Sequence, residues 1–493
     1  MCLGLNKQTV AATVLLLFTT TASGQEVKSY KYRFDGNLND KSILNSGHSL
    51  IINYSINELE LETIEEGNAV YYRIRIPGHT PTYDPGKPEL PVLSRIINIP
   101  RGIDYRIIIS DVRYSRLHPS SKRIKGILYP AQETESKNSA QRKKDFKLDR
   151  VAYSAKGILP YDTVRIEPLG TLRGNELANL IIAPVRYNPR TNSIEVISSM
   201  KIEITNIVPA ESKSASTAEE SAIFTEALEK SVLNYSAGDV IPGFSDEPVK
   251  MIILTDTTYK KFLAPYVKWK TRKGFKVQVL YRGKKYAGDT YTEIKSTLTS
   301  IYNASTPAPE YLLIIGDTKK VPYYGTGNIT DMYYGEFTGN GDYIPEMLIG
   351  RLPVSDTTQL KAVLNKLLQY EQYQFAPSND FTSRALISAG NDDSNSKIMN
   401  GQVYYAINNY LNSSNKLTEY HFYYPKAAAS EDSIRKIIRK GVGFINYTGH
   451  GDVTGWLDPF LKSGDIDTVT NTNMHPFIIS NACQTSTFTS ASA

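Results

Sequence analysis

Two patterns of apolar positions divide the chain. Up to about residue 208, apolar and polar residues alternate over short stretches. Tyr72, Ile74 and Ile76 alternate with Tyr71, Arg73 and Arg75, and Ile202 and Ile204 alternate with Lys201 and Glu203. A period of two puts one face of a strand in a core and the other in water. Shorter apolar runs, such as Ile107-Ile108-Ile109 and Leu180-Ile181-Ile182-Ala183, are bounded by Pro, Gly, Asn and Asp turns. No helix-period stretch of any length interrupts them, so residues 25–208 are expected to form an antiparallel, sandwich-like all-β domain.

From Val249 the pattern changes to continuous apolar strands alternating with helices. Strands are predicted at Val249–Leu254, Phe275–Leu280, Tyr311–Asp317 and Arg384–Ser388. Helices are predicted at Tyr259–Lys273 (kinked by Pro265 and ended by Gly274), Tyr291–Tyr302, Thr358–Tyr373 and Glu431–Lys440 (capped by Ser430). Strands apolar on both faces need cover on both faces, which indicates a mostly parallel sheet in an α/β domain over residues 249–493. Between the two regions, residues 209–248 are polar and rich in small residues around Glu211–Ser221. They read as a linker and processing region that also holds a short amphipathic piece at Ile223, Phe224, Ala227 and Leu228.

Composition adds an address. Lys7, an apolar core from Val10 to Phe18 and the small residues Ala22-Ser23-Gly24 make residues 1–24 a secretory signal peptide, so the product is expected to be secreted or on the cell surface. The net charge of +6 falls to +5 without Lys7, a mild excess. The basic stretch from Arg113 to Arg150 reads as a solvated loop, and no nucleic-acid motif accompanies it, so nucleic acid is not an expected partner.

The leader also carries Cys2, which leaves Cys483 as the single thiol of the processed chain. Cys483 ends the apolar run Pro476-Phe477-Ile478-Ile479-Ser480-Asn481-Ala482, and His450, between Gly449 and Gly451, ends the run from Phe444. Ligands of open α/β sheets bind at the carboxyl ends of the strands, and both residues fall there. A thiol becomes a nucleophile when a base or cation helps it ionise, and imidazole is the common partner. His450 and Cys483 are therefore the candidate catalytic pair, and the backbone N–H groups of Gly451 and Cys483 the candidate oxyanion donors. The competing reading is a buried small hydrophobe beside a glycine-rich turn. A structural zinc site lacks the paired Cys/His spacings it needs, and the metal content is unknown.

These motifs resemble the gingipain-type cysteine peptidases, within the wider group of caspases and legumains. The resemblance rests on Asn446-Tyr447-Thr448-Gly449-His450-Gly451 followed by Trp456, on Ala482-Cys483, on Leu313-Ile314-Ile315-Gly316-Asp317, and on Ile349-Gly350-Arg351-Leu352-Pro353. In the β-rich region, Gly86-Lys87-Pro88-Glu89-Leu90-Pro91-Val92 and Tyr187-Asn188-Pro189 are similar to the family's propeptide. The resemblance implies a secreted zymogen with an inhibitory prodomain, a caspase-like α/β domain, endopeptidase activity on protein or peptide substrates, and export through type IX secretion machinery. It implies no required cofactor, although family members can bind calcium. Asp317, Asp331 and Asp342 offer loop ligands for calcium, against the competing reading of turn formation. It also implies a third catalytic group that orients His450, for which Asp392 and Asp393 are the positional matches. The family domain continues further past its cysteine than the ten residues present here, so a C-terminally truncated catalytic domain is expected. Two alternatives share these residues: a sortase-like transpeptidase of the same family, and a non-catalytic surface protein with a degenerate peptidase fold.

Overall fold

The structure is a computed structural model. It describes residues 13–20, 26–34, 43–46, 49–99, 104–133, 145–160, 162–207, 221–235, 248–326, 329–339, 342–375, 377–392, 396–425 and 431–490. The leader (apart from a Thr13–Thr20 strand), the basic residues Arg142, Lys143 and Lys144, the cap Ser430 and the aspartate Asp393 lie outside them. Among the described residues, no helix is long and apolar enough to cross a membrane. The chain divides into two compact units, residues 1–136, 141–245 and 336–346 in one and residues 137–140, 246–335 and 347–493 in the other.

The first unit is built of strands in three sheets. Its longest strand, Ser193–Thr205, pairs antiparallel with both Ser49–Ser55 and Arg106–Leu117. Ile194, Val196, Met200, Ile202 and Ile204 point into the core, while Glu195, Lys201 and Glu203 are only partly buried, as a period of two requires. Tyr72 and Ile74 are buried in the same core cluster as Leu50, Ile97 and Tyr187. Tyr71 departs from the expected alternation. Its ring is buried edge-on to Tyr129, 5.7 Å between centroids. A helix at Ala222–Ser231 buries Phe224 and Leu228, and Leu228 packs with Leu177 and Val232.

The second unit holds two parallel four-stranded sheets. One has the order Lys276–Tyr281, Lys250–Thr255, Tyr311–Ile315, Leu348–Leu352. The expected long helix after Thr255 is two elements, a 3-10 turn at Thr257–Phe262 and a helix at Ala264–Arg272. Pro265 starts that helix rather than kinking it. Proline at the first turn lacks only an N–H that has no helical partner there, and its fixed φ suits the entry. Thr290 and Glu293 close a capping box on the helix Tyr291–Asn303, and Asp356 caps Thr357–Glu371 through the N–H groups of Thr358 and Gln359.

The other sheet has the order Thr418–Phe422, Arg384–Ala389, Phe444–Thr448, Phe477–Asn481. Successive residues of its strands feed opposite faces. Leu386 and Ile445 meet Ile434 and Ile438 of the helix Glu431–Lys440, while Ile387 and Ala389 meet Met399 and Val403 of the helix Ser396–Asn409. Burying each such aliphatic side chain is worth about 1.5–3 kcal/mol, so helices on both faces hold the central strands straight and fix where they end. Phe477–Asn481 is the exception to the expectation of buried strands. It is the edge, with one paired neighbour among the described residues, and Phe477, Ile478 and Ile479 are exposed.

Candidate active site

The register of the second sheet builds the site. Phe444–Thr448 is central, with Arg384–Ala389 on one side and Phe477–Asn481 on the other. Thr448 pairs with Ala389 and with Asn481, so all three strands end at the same level. His450 then lies two residues past its strand, and Cys483 two residues past the neighbouring one. Asp392 lies three residues past the strand on the opposite side. Sheet order thus places His450 past the central strand, with Asp392 and Cys483 past the strands on either side of it.

The side chains follow. His450 Nε2 is 2.6 Å from Asp392 Oδ2, and the Asp392 side chain is 1% exposed. A carboxylate so placed accepts the Nε2 proton, which leaves Nδ1 as the basic nitrogen. The thiol of Cys483 is free and exposed. Two glycines let the strand ends approach. A Cβ on Gly449 would lie 2.5 Å from Tyr447 Oη and 2.9 Å from Gly390 Cα, and one on Gly451 would lie 2.9 Å from the Cys483 carbonyl oxygen. Gly390 N–H donates to the Thr448 carbonyl at 2.8 Å and Gly449 N–H to that of Asn481 at 3.2 Å, so the pairing continues beyond the strands.

Behind His450, Tyr447 stacks on Trp456 at 4.3 Å, and its hydroxyl lies 2.7 Å from the His450 carbonyl and 3.1 Å from that of Asp458. Leu457 N–H also donates to the His450 carbonyl, at 3.0 Å. Trp456 Nε1 donates to Ser480 Oγ at 2.9 Å, and Ser480 Oγ is 3.0 Å from Thr485 Oγ1. This chain ties the histidine turn to the cysteine turn. Of it, Tyr447 and Trp456 stood in a sequence motif and Ser480 in the run before Cys483, while Thr485 is a polar residue with no motif of its own.

The remaining expected residues lie elsewhere. His475 precedes the edge strand, and burial, reinforced by the charge of Lys366, holds its imidazole below the usual range. The loop aspartates are already engaged. Asp317 Oδ1 accepts the N–H groups of Lys319 and Lys320, Asp331 pairs with Arg351 through both oxygens, and Asp342 accepts from Ile344 N–H and Thr338 Oγ1. Asp317 and Asp331 belong to one compact unit and Asp342 to the other. Among the described residues no group of three His, Cys, Asp or Glu is placed to hold a metal.

A parallel α/β sheet covered on both faces, following a strand-rich N-terminal region, is the architecture of a caspase-like cysteine peptidase preceded by a propeptide. The chain belongs to peptidase family C25. Residues 244–493 match the sequence profile of Peptidase family C25, and residues 31–240 match that of the C25 propeptide. It is similar to Lys-gingipain HG66 of Porphyromonas gingivalis, 31% identical over 457 residues that cover 90% of this chain and 26% of that protein. It is similar to gingipain R1 of the same organism, 24% identical over 409 residues, 81% of this chain and 40% of that one. Among solved structures it is similar to gingipain K of Porphyromonas gingivalis, in a structure describing zymogenic latency (TM-score 0.33, 28% identity, 36% of this chain and 99% of that chain). The chain thus spans about a quarter of the length of the Lys-gingipains it matches.

Proposed function

We propose that the chain is the precursor of an exported cysteine endopeptidase that works through Cys483, His450 and Asp392, with the β-rich unit as its inhibitory propeptide. His450 Nδ1 takes the proton of the Cys483 thiol, and the thiolate attacks the carbonyl carbon of a peptide. The oxyanion of the tetrahedral intermediate is met by the N–H groups of Cys483 and Gly451. The C–N bond then breaks, and the imidazolium gives its proton to the leaving amine. Water, deprotonated by His450, attacks the thioester and releases the acid, restoring the thiol. Asp392 holds the imidazole by Nε2 and stabilises its charged form between the two proton transfers.

The observation that carries this reading is the register of the sheet, in which Thr448 pairs with both Ala389 and Asn481 and so ends the three strands together. The test is hydrolysis of a peptide library by the processed chain and its Cys483→Ala variant. Turnover is expected to vanish in the variant, with the thermal unfolding transition unchanged. Equal turnover in the two proteins would refute the mechanism. Transfer of the acyl group to an added amine, in place of hydrolysis, would identify the sortase-like reading instead.

A further inference from the structure

Among the described residues, the strand that delivers Cys483 is paired on one side, by Phe444–Thr448. Near the thiol, Gln484 adopts φ 60°, and Thr485 Oγ1 donates to the Ala482 carbonyl at 3.2 Å. Farther along, the chain turns back through Thr487 N–H to the Gln484 carbonyl (3.2 Å) and Phe488 N–H to the Ser486 carbonyl (2.8 Å). That turn aims Phe488 at Arg351, with the ring centroid 4.9 Å from the guanidinium carbon, and edge-on to Tyr323 at 6.2 Å.

Arg351 belongs to the strand Leu348–Leu352 of the other sheet of the same unit, and its side chain is 4% exposed. Nε and one Nη2 proton go to the two oxygens of Asp331, both at 2.6 Å. Nη1 donates to the carbonyls of Gly316 at 2.9 Å and Val321 at 3.0 Å, and Nη2 also donates to that of Pro322 at 3.2 Å. A guanidinium has five N–H donors in one plane, and this set accounts for all of them. What remains is a flat, immobile cationic face, which attracts the electron-rich face of an aromatic ring.

We propose that Arg351 and Phe488 are positioning residues for the nucleophile: the saturated guanidinium is a fixed platform, and Phe488 anchors the turn of Cys483 on it. Neither residue touches the reacting atoms; they act through the backbone between Cys483 and Phe488. The proposal rests on Cys483 being the nucleophile. A misplacement of about 1 Å at a reacting centre can cost on the order of a hundredfold in rate, so a loosened turn reads out kinetically before it reads out in stability.

The test uses the processed chain, with alkylation of Cys483 by iodoacetamide followed by peptide mapping across pH 5.5–9, plus kcat and KM on a hydrolysed peptide. Phe488→Ala and Phe488→Leu are each expected to slow alkylation at pH 6 about tenfold or more and to lower kcat with KM little changed. The leucine variant keeps most of the apolar volume, so it separates lost anchoring from a collapsed turn. Phe488→Tyr, which retains the π face, is expected to restore both readouts. Wild-type alkylation rates and pH profile in the alanine and leucine variants would overturn the proposal while leaving the nucleophile reading intact. Equal loss in the tyrosine variant would overturn it too, since a retained π face over Arg351 would then fail to hold the turn. A wild-type Cys483 that reacts no faster than a small free thiol, with every variant alike, would overturn both by a separate signature.

Discussion

Asp392→Asn keeps the volume and shape of the side chain while removing the charge that faces His450. The native contact is 2.6 Å and the Asp392 side chain is 1% exposed, so the hydrogen bond is charge-assisted and largely shielded from water. Hydrogen bonds to charged groups contribute about 1.5–3 kcal/mol net. At a factor of ten per 1.36 kcal/mol, that is a loss of roughly 10- to 150-fold. The amide also has both a donor and an acceptor to offer, so it no longer selects the tautomer with the proton on Nε2. The loss in a serine triad is larger, about 10⁴ for the corresponding change, because a hydroxyl depends on its base more than a thiol does. The assay is kcat/KM on a peptide together with the rate of Cys483 alkylation at pH 6, with near-ultraviolet circular dichroism as the control for packing. A folded Asp392→Asn protein with wild-type values of both rates would refute the assignment of Asp392 as the group that orients His450.

Gly449→Ala drives a methyl to 2.5 Å from Tyr447 Oη and 2.9 Å from Gly390 Cα. Overpacking of this kind costs about 1–3 kcal/mol, so a lower denaturation midpoint and slower Cys483 alkylation are expected together; an unchanged midpoint would contradict the close approach of the strand ends. His475 has its imidazole held below its ordinary value of 6.5 by burial and the charge of Lys366. Between 6.5 and the lower folded value, the unfolded chain therefore binds a proton that the folded chain does not, and stability falls as pH drops through that window. His475→Gln is expected to flatten this slope in denaturant titrations; an identical slope in the variant would refute it.

The residues that end strands were the readable part of this chain. His450 and Cys483 stand out because an apolar run stops at each, and in a parallel sheet the stopping point is where chemistry is built. Side-chain contacts that depend on a turn's path were not readable. Asp392 and Asp393 are adjacent and chemically equal in the sequence, and the Asp392–His450 contact depends on the turn through Gly390. Pro265 looked like a break within a helix because a proline signal does not say on which side the helix lies. The apolar run Phe477–Ile479 reads like a buried strand, yet it occupies the sheet edge, because strand order follows from long-range pairing rather than local pattern. Arg351 stood in a recognisable motif, but its contact with Phe488 joins two sheets, across a separation that no periodicity conveys.

The most direct measurement is the rate of Cys483 alkylation as a function of pH in the wild-type chain and in His450→Ala. If the imidazole activates the thiol, wild-type Cys483 reacts at pH 6 at least about tenfold faster than a small free thiol, and the advantage disappears in the variant. A wild-type rate that follows the free thiol across the whole range, unchanged by the loss of His450, would contradict the catalytic pair and leave Cys483 a structural residue at the end of a strand.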